Sequence, residues 1–110
     1  MLYIFGIGNP NEKYKNTRHN AGRIAGNFLK DKKLFDFTYQ YVETGSYMNN
    51  SGMYIKNFLE NNNFDFQNNT FVVIYDDKDI KLGNVKNSYS RGHGGHNGIR
   101  DIMSNVECDF

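Results

Sequence analysis

Apolar and polar positions follow one another along this chain in two rhythms. Leu2-Tyr3-Ile4-Phe5 is an unbroken apolar run that ends in Gly6-Ile7-Gly8-Asn9-Pro10, the pattern of a buried strand feeding a loop. Pro10 biases Asn9 toward extended backbone, which fixes the direction of the Asn9 side chain. From Asn20 the period changes. Ala21, Ile24, Ala25, Phe28 and Leu29 fall at i, i+3, i+4, i+7 and i+8, which predicts a helix to about Lys33 with these residues inward. Tyr39 to Glu43 reads as a strand. A second helix is expected after Ser51, with Ile55, Phe58 and Leu59 inward and Asn61-Asn62-Asn63 ending it. Thr70 to Tyr75 is the clearest strand, and it runs straight into Asp76-Asp77-Lys78-Asp79. A weaker strand is expected from Val85 to Tyr89, then a glycine-rich loop, then a third helix carrying Ile99, Ile102 and Met103.

Strands alternating with helical segments predict an α/β fold, a three-layer sandwich with a central, mostly parallel sheet flanked by helices. With 110 residues and no repeat or linker, one domain spanning 1–110 is expected. The chain is 38% hydrophobic and 15% aromatic, enough to build a core and too apolar for a disordered tail. Its longest apolar run, Phe71 to Tyr75, is far short of the roughly 20 residues that span a bilayer. The N-terminus lacks the basic region and cleavage site of a secretory signal. A cytoplasmic location with no membrane partner is therefore the expectation. A single cysteine, Cys108, excludes an internal disulfide framework and a cysteine-based zinc cluster. The net charge of +1 argues neither for nor against a polyanionic partner, because steering depends on local patches. Asparagine occurs 17 times, so position and not abundance must decide which asparagines matter.

In open α/β sheets, ligands gather at the carboxyl ends of the strands. That rule brings together Asn9 and the loop to His19, Asp76 after the Thr70 strand, and the loop holding His96 and Asn97. A histidine beside a carboxylate is a general-base arrangement, the acid holding the imidazole's tautomer and stabilising the imidazolium that forms. No serine or cysteine nucleophile stands next to it, so water is the expected nucleophile. Two other patterns are weaker. Gly6-Ile7-Gly8 opens like a dinucleotide fingerprint, but the third glycine position is Asn11 and Pro10 spoils an immediate helix start. His93 and His96 have a spacing that suits a shared metal but lack an evident third ligand, so neither a metal nor a cofactor is expected.

The order and wording of four segments resemble one family. Gly6-Ile7-Gly8-Asn9-Pro10, with Tyr14 and Thr17-Arg18-His19-Asn20-Ala21-Gly22, is similar to the N-terminal signature of bacterial-type peptidyl-tRNA hydrolase. Tyr47-Met48-Asn49-Asn50-Ser51-Gly52, Val73-Ile74-Tyr75-Asp76-Asp77-Lys78-Asp79 and Gly94-Gly95-His96-Asn97-Gly98-Ile99-Arg100-Asp101-Ile102 resemble its later motifs. The resemblance implies hydrolysis of the ester between a peptide and the 3′ end of tRNA, releasing tRNA for reuse. It implies His19 as the general base for water and Asp76 as the group that holds it. It implies that Asn9 contacts the peptide, that Asn49 and Asn97 position substrate and water, and that Tyr14 and Tyr47 line the groove. Lys86, Arg91 and Arg100 are the expected phosphate contacts, and peptidyl-tRNA the expected partner.

The sequence also departs from the family. The family is usually near twice this length, so the chain resembles a truncated or minimal member, its sheet incomplete at the C-terminal side. Between Gly22 and Tyr47 it is short by about a strand or hairpin, and the proline of the family's approach to Tyr47 is missing. Two alternatives follow, a catalytically weak or inactive RNA-binding remnant and an N-terminal fragment of a longer protein. The family is usually monomeric, but a sheet edge left open near Val85 favours self-association here.

Overall fold

The computed structural model of the chain describes residues 1–10, 13, 15–30, 32, 37–45, 47–106, 108 and 110. Three strands, β1 (Leu2–Gly6), β2 (Tyr39–Glu43) and β3 (Thr70–Ile74), form a sheet in the order β2-β1-β3. Both pairings are parallel, with Leu2 opposite Tyr39 on one side and Thr70 on the other. β1 is central, which is why its sequence is an unbroken apolar run: a strand covered on both faces has no polar face to alternate with.

Helices α1 (Ala21–Leu29), α2 (Ser51–Asn61) and α3 (Asn97–Asn105) complete the three layers. On one face of the sheet, Phe5 packs edge-on against Phe58 of α2 at 5.4 Å and against Phe71 of β3 at 5.9 Å between ring centroids. Ile55, Ile99 and Ile102 are fully or almost fully buried in the same cluster. α1 covers the other face. The expected α/β sandwich with a parallel central sheet is what forms.

α1 is turned from its expected orientation. Gly22, Arg23 and Gly26 are buried, whereas Ile24 and Phe28 are 49% and 63% exposed. The two glycines explain this. A Cβ on Gly22 would lie 2.1 Å from the Ile74 carbonyl oxygen, and one on Gly26 would lie 2.0 Å from the Tyr41 ring. A helix with a glycine edge can approach the sheet more closely than one with an aliphatic edge, so the glycine edge faces inward. α1 also ends at Leu29, where the Tyr39 hydroxyl donates to the Leu29 carbonyl at 2.9 Å. Lys33, where the sequence pattern placed its end, lies outside the described residues. The expected third helix forms as α3, with Ile99 and Ile102 buried and Met103 45% exposed.

The expected strand from Val85 to Tyr89 does not form. Lys86, Asn87 and Ser88 interrupt its apolar character, and Val85 is 92% exposed with no neighbouring strand to pair with among the described residues. Among the described residues the sheet therefore has its edges at β2 and β3, and the edge expected near Val85 is that of β3. Thr70 donates its N–H to Met1 at 3.1 Å, and the Ile74 carbonyl accepts from Ile7 at 3.2 Å. These bonds set the phase: Thr70, Val72 and Ile74 turn their main-chain groups to β1, and Phe71 and Val73 turn theirs to the open side. A groove of about 740 Å³ runs along that side, lined by Phe71, Val73, Tyr75, Tyr89 and Phe110 among others.

Candidate functional site

Because all three strands are parallel, their carboxyl ends share one edge of the sheet. The segments that follow them carry the polar residues singled out in the sequence. After β1, the Asn9 peptide is clamped by Asn20, a side chain that is only 3% exposed. The Asn20 Oδ1 accepts the Asn9 N–H at 2.8 Å, and its Nδ2 donates to the Asn9 carbonyl at 2.9 Å. The Asn9 Oδ1 in turn accepts the Met48 N–H at 2.7 Å. With its oxygen committed, the Asn9 carboxamide keeps its NH₂ group as the donor left for a ligand.

Met48 is almost fully buried, and its sulfur lies so close to Gly98 that a Cβ there would be 2.6 Å away. This contact seats the turn carrying Tyr47 and Asn49 against the turn that opens α3. Tyr47 is 52% exposed, and Asn49 and Asn97 are also exposed on these two turns.

His19 sits in a single 3-10 turn (Arg18–Asn20) just before α1. Its Nδ1 lies 2.9 Å from the Asp76 Oδ2, two residues beyond the end of β3. The other Asp76 oxygen, Oδ1, lies 2.8 Å from the His96 Nε2. One carboxylate thus bridges two imidazoles whose ring centroids are 5.3 Å apart. Partial burial pushes the Asp76 carboxyl up, but hydrogen bonds from His96 and His19, with the attraction of both rings, outweigh it and hold the group below its ordinary value. The two histidines differ in access: the His19 side chain is 45% exposed and that of His96 only 10%.

His96 was placed at this sheet edge by the sequence but was not among the expected site residues. It is the N-cap of α3, and its Nδ1 accepts the Ile99 N–H at 3.2 Å. Gly94 and Gly95, at φ 57° and 86°, make the left-handed turn that delivers it there.

His19, Asp76 and His96 bring one ligand atom each to within 4.8 Å of one another. A metal at the His96 Nε2 would require the ring proton on Nδ1, where it would face the Ile99 N–H, donor against donor. The trio fits a hydrogen-bonded His–Asp–His array and not a metal centre. His93, paired with His96 by spacing, uses its Nδ1 to accept the Gly95 N–H at 2.9 Å.

The remaining expected residues are spread more widely. Lys86 and Arg91 line the groove along β3, and Arg91 lies 3.3 Å from Asp77. Arg100 is exposed on α3. Tyr14 lies outside the described residues.

Residues 3–110 match the family model described as peptidyl-tRNA hydrolase. Among similar proteins, the peptidyl-tRNA hydrolase of Persephonella marina is 34% identical over 96% of this chain and 64% of its own. Those of Aliarcobacter butzleri and Prochlorococcus marinus are 34% and 35% identical, over 67% and 60% of their lengths. The chain thus spans about two thirds or less of the length of these relatives. A crystal structure of peptidyl-tRNA hydrolase in complex with N-propanol superposes with a TM-score of 0.86 at 26% identity, covering all of this chain and 64% of that one. The enzyme from Acinetobacter baumannii gives 0.83 at 27% identity with the same coverage. The chain belongs to the bacterial-type peptidyl-tRNA hydrolase family.

Proposed function

We propose that the chain hydrolyses the ester bond of peptidyl-tRNA, with His19 as the general base. The observation that carries this reading is the bond between the His19 Nδ1 and the Asp76 Oδ2, on an imidazole that remains 45% exposed. An ionised Asp76 accepts from Nδ1–H, which leaves the lone pair of Nε2 available to water. Water attacks the ester carbonyl carbon as Nε2 takes its proton. The tetrahedral intermediate then expels the ribose oxygen of tRNA, which receives that proton, leaving intact tRNA and a peptide carboxylic acid that releases its remaining proton to solvent.

The other site residues support this chemistry by their placement. The free NH₂ group of Asn9 suits a carbonyl of the peptide portion. Asn49 and Asn97 offer amides to position substrate and water, and an amide N–H stabilises the developing oxyanion. Tyr47 gives an exposed ring for packing against peptide or base, with Tyr14 expected in the same role. Lys86, Arg91 and Arg100 supply positive charge for phosphates, although the charge of Arg91 is shared with Asp77. No described helix is long and apolar enough to cross a membrane, and we place the activity in the cytoplasm.

The runner-up, a weak or inactive RNA-binding remnant, draws on the relatives' greater length. A turnover assay on N-blocked aminoacyl-tRNA separates the two. The purified chain is expected to release tRNA, and His19→Ala to abolish release while the fold persists. Equal rates for both proteins would overturn the general-base assignment, and tRNA binding without any turnover would establish the remnant.

A further inference from the structure

His96 has both ring nitrogens engaged, and the two bonds are not independent. The Ile99 main-chain N–H can only donate, so the His96 Nδ1 that it meets at 3.2 Å must present a lone pair. A neutral imidazole carries one proton, which is then confined to Nε2, 2.8 Å from the Asp76 Oδ1. We infer that His96 is a positioning residue whose tautomer is set by capping α3, so that it is a permanent donor to Asp76 and holds that carboxylate in the orientation His19 requires.

The inference rests on the general-base reading of His19 and adds a division of labour to it. The two imidazoles on Asp76 have opposite ends free: His19 keeps an accessible Nε2, and His96 has no free nitrogen. Only His19 can exchange a proton with substrate. The groups that face His96 are Asp76, the His19 ring at 5.3 Å and the Tyr75 ring, edge-on at 5.0 Å. Its side chain is 10% exposed.

Two substitutions separate the two ends of the ring. His96→Asn keeps a side-chain oxygen able to cap α3, asparagine being among the best N-caps, but is too short to reach Asp76. His96→Gln places an amide N–H near the former Nε2 while weakening the cap. In the unmodified chain, ¹⁵N NMR is expected to show His96 as the Nε2–H tautomer, and the Nδ1–H form would overturn the inference. The Asp76 carboxyl, followed by ¹³C, should titrate at higher pH in His96→Asn than in the unmodified chain or His96→Gln. These readouts need no turnover, so they judge His96 even if His19 proves not to be the base. In the assay on N-blocked aminoacyl-tRNA, His96→Asn should lower kcat about 10-fold with little change in KM, the effect of one charge-assisted hydrogen bond. His96→Gln should recover most of kcat despite melting at lower temperature. If Asp76 titration and kcat are unchanged in His96→Asn, the residue is a helix cap and nothing more.

Discussion

His19 and Asn9 are each held by a bond that leaves another atom of the side chain free. His19 spends Nδ1 on Asp76, and Asn9 spends Oδ1 on the Met48 N–H. Replacing Asp76 by asparagine removes the charge that selects the useful His19 tautomer while keeping the shape. The expected loss in kcat is about 10²–10⁴-fold, smaller than for His19→Ala. The sign of the acid response follows from the same carboxyl. Asp76 is held below its ordinary value in the folded chain, so on acidification the unfolded chain binds this proton first. Its contribution to stability is complete above the unfolded value and is lost as pH falls through the folded one. Urea titrations at stepped pH should show that Asp76→Asn removes this part of the acid dependence. For Asn9, Asn9→Asp keeps the acceptor for Met48 but removes the NH₂ donor. It should change the rate ratio between N-acetyl-aminoacyl-tRNA and free aminoacyl-tRNA more than it changes tRNA affinity. An unchanged ratio with general loss of binding would make Asn9 structural. Motif and spacing pointed to His19, Asp76 and Asn9, but they could not show the parts played by His96 and Asn20. A tautomer set by a helix cap and an amide clamped onto another residue's peptide depend on distances that no sequence pattern carries.

Among the elements, α1 shows what periodicity can and cannot tell. The pattern located the helix correctly, because apolar residues at helical spacing mark an element whatever it faces. It misjudged the inward face, because closeness of approach is decided by residues without side chains. Gly22 and Gly26 outrank Ile24 and Phe28 here, since only glycine lets the helix backbone reach the Ile74 carbonyl and the Tyr41 ring. Gly22→Ala should therefore destabilise the chain by about 1–3 kcal/mol through overpacking, measured by urea unfolding. Ile24→Ser, on the exposed side, should cost far less. Equal costs would mean that the helix does not sit where its glycines place it. β1 and β3 were legible because a strand in a parallel sheet is apolar over its whole length. The Val85 to Tyr89 segment was misread because two apolar residues around a polar centre do not make a strand without a neighbour.

At the scale of the whole molecule, the described sheet has three strands and two edges, β2 and β3, and the β3 edge opens onto a groove. Phe71 and Val73 present main-chain donors and acceptors to a groove lined largely by apolar residues. Such an edge is a template for another strand. The chain is expected to self-associate in a concentration-dependent way, seen by sedimentation velocity. Val73→Pro deletes an N–H that faces the groove and not β1, so it should suppress association while leaving the internal ladder intact. Association that survives this change would have to use another surface, such as the outer edge of β2 or the exposed side of α1.

The central place of β1 also governs the order in which the molecule can come into being. The first strand made must wait for partners that follow much later, since Leu2 pairs with both Tyr39 and Thr70. His19 and Asp76 are 57 residues apart and meet only once β3 has docked. His96, which steadies Asp76, arrives later still, with the start of α3. During synthesis the early segments can form local turns and helices, but closing the sheet and assembling the site are one late, long-range event. A ribosome-bound chain stalled before β3 has emerged should thus hold neither a stable sheet nor a paired His19, and competence should appear abruptly and not by degrees.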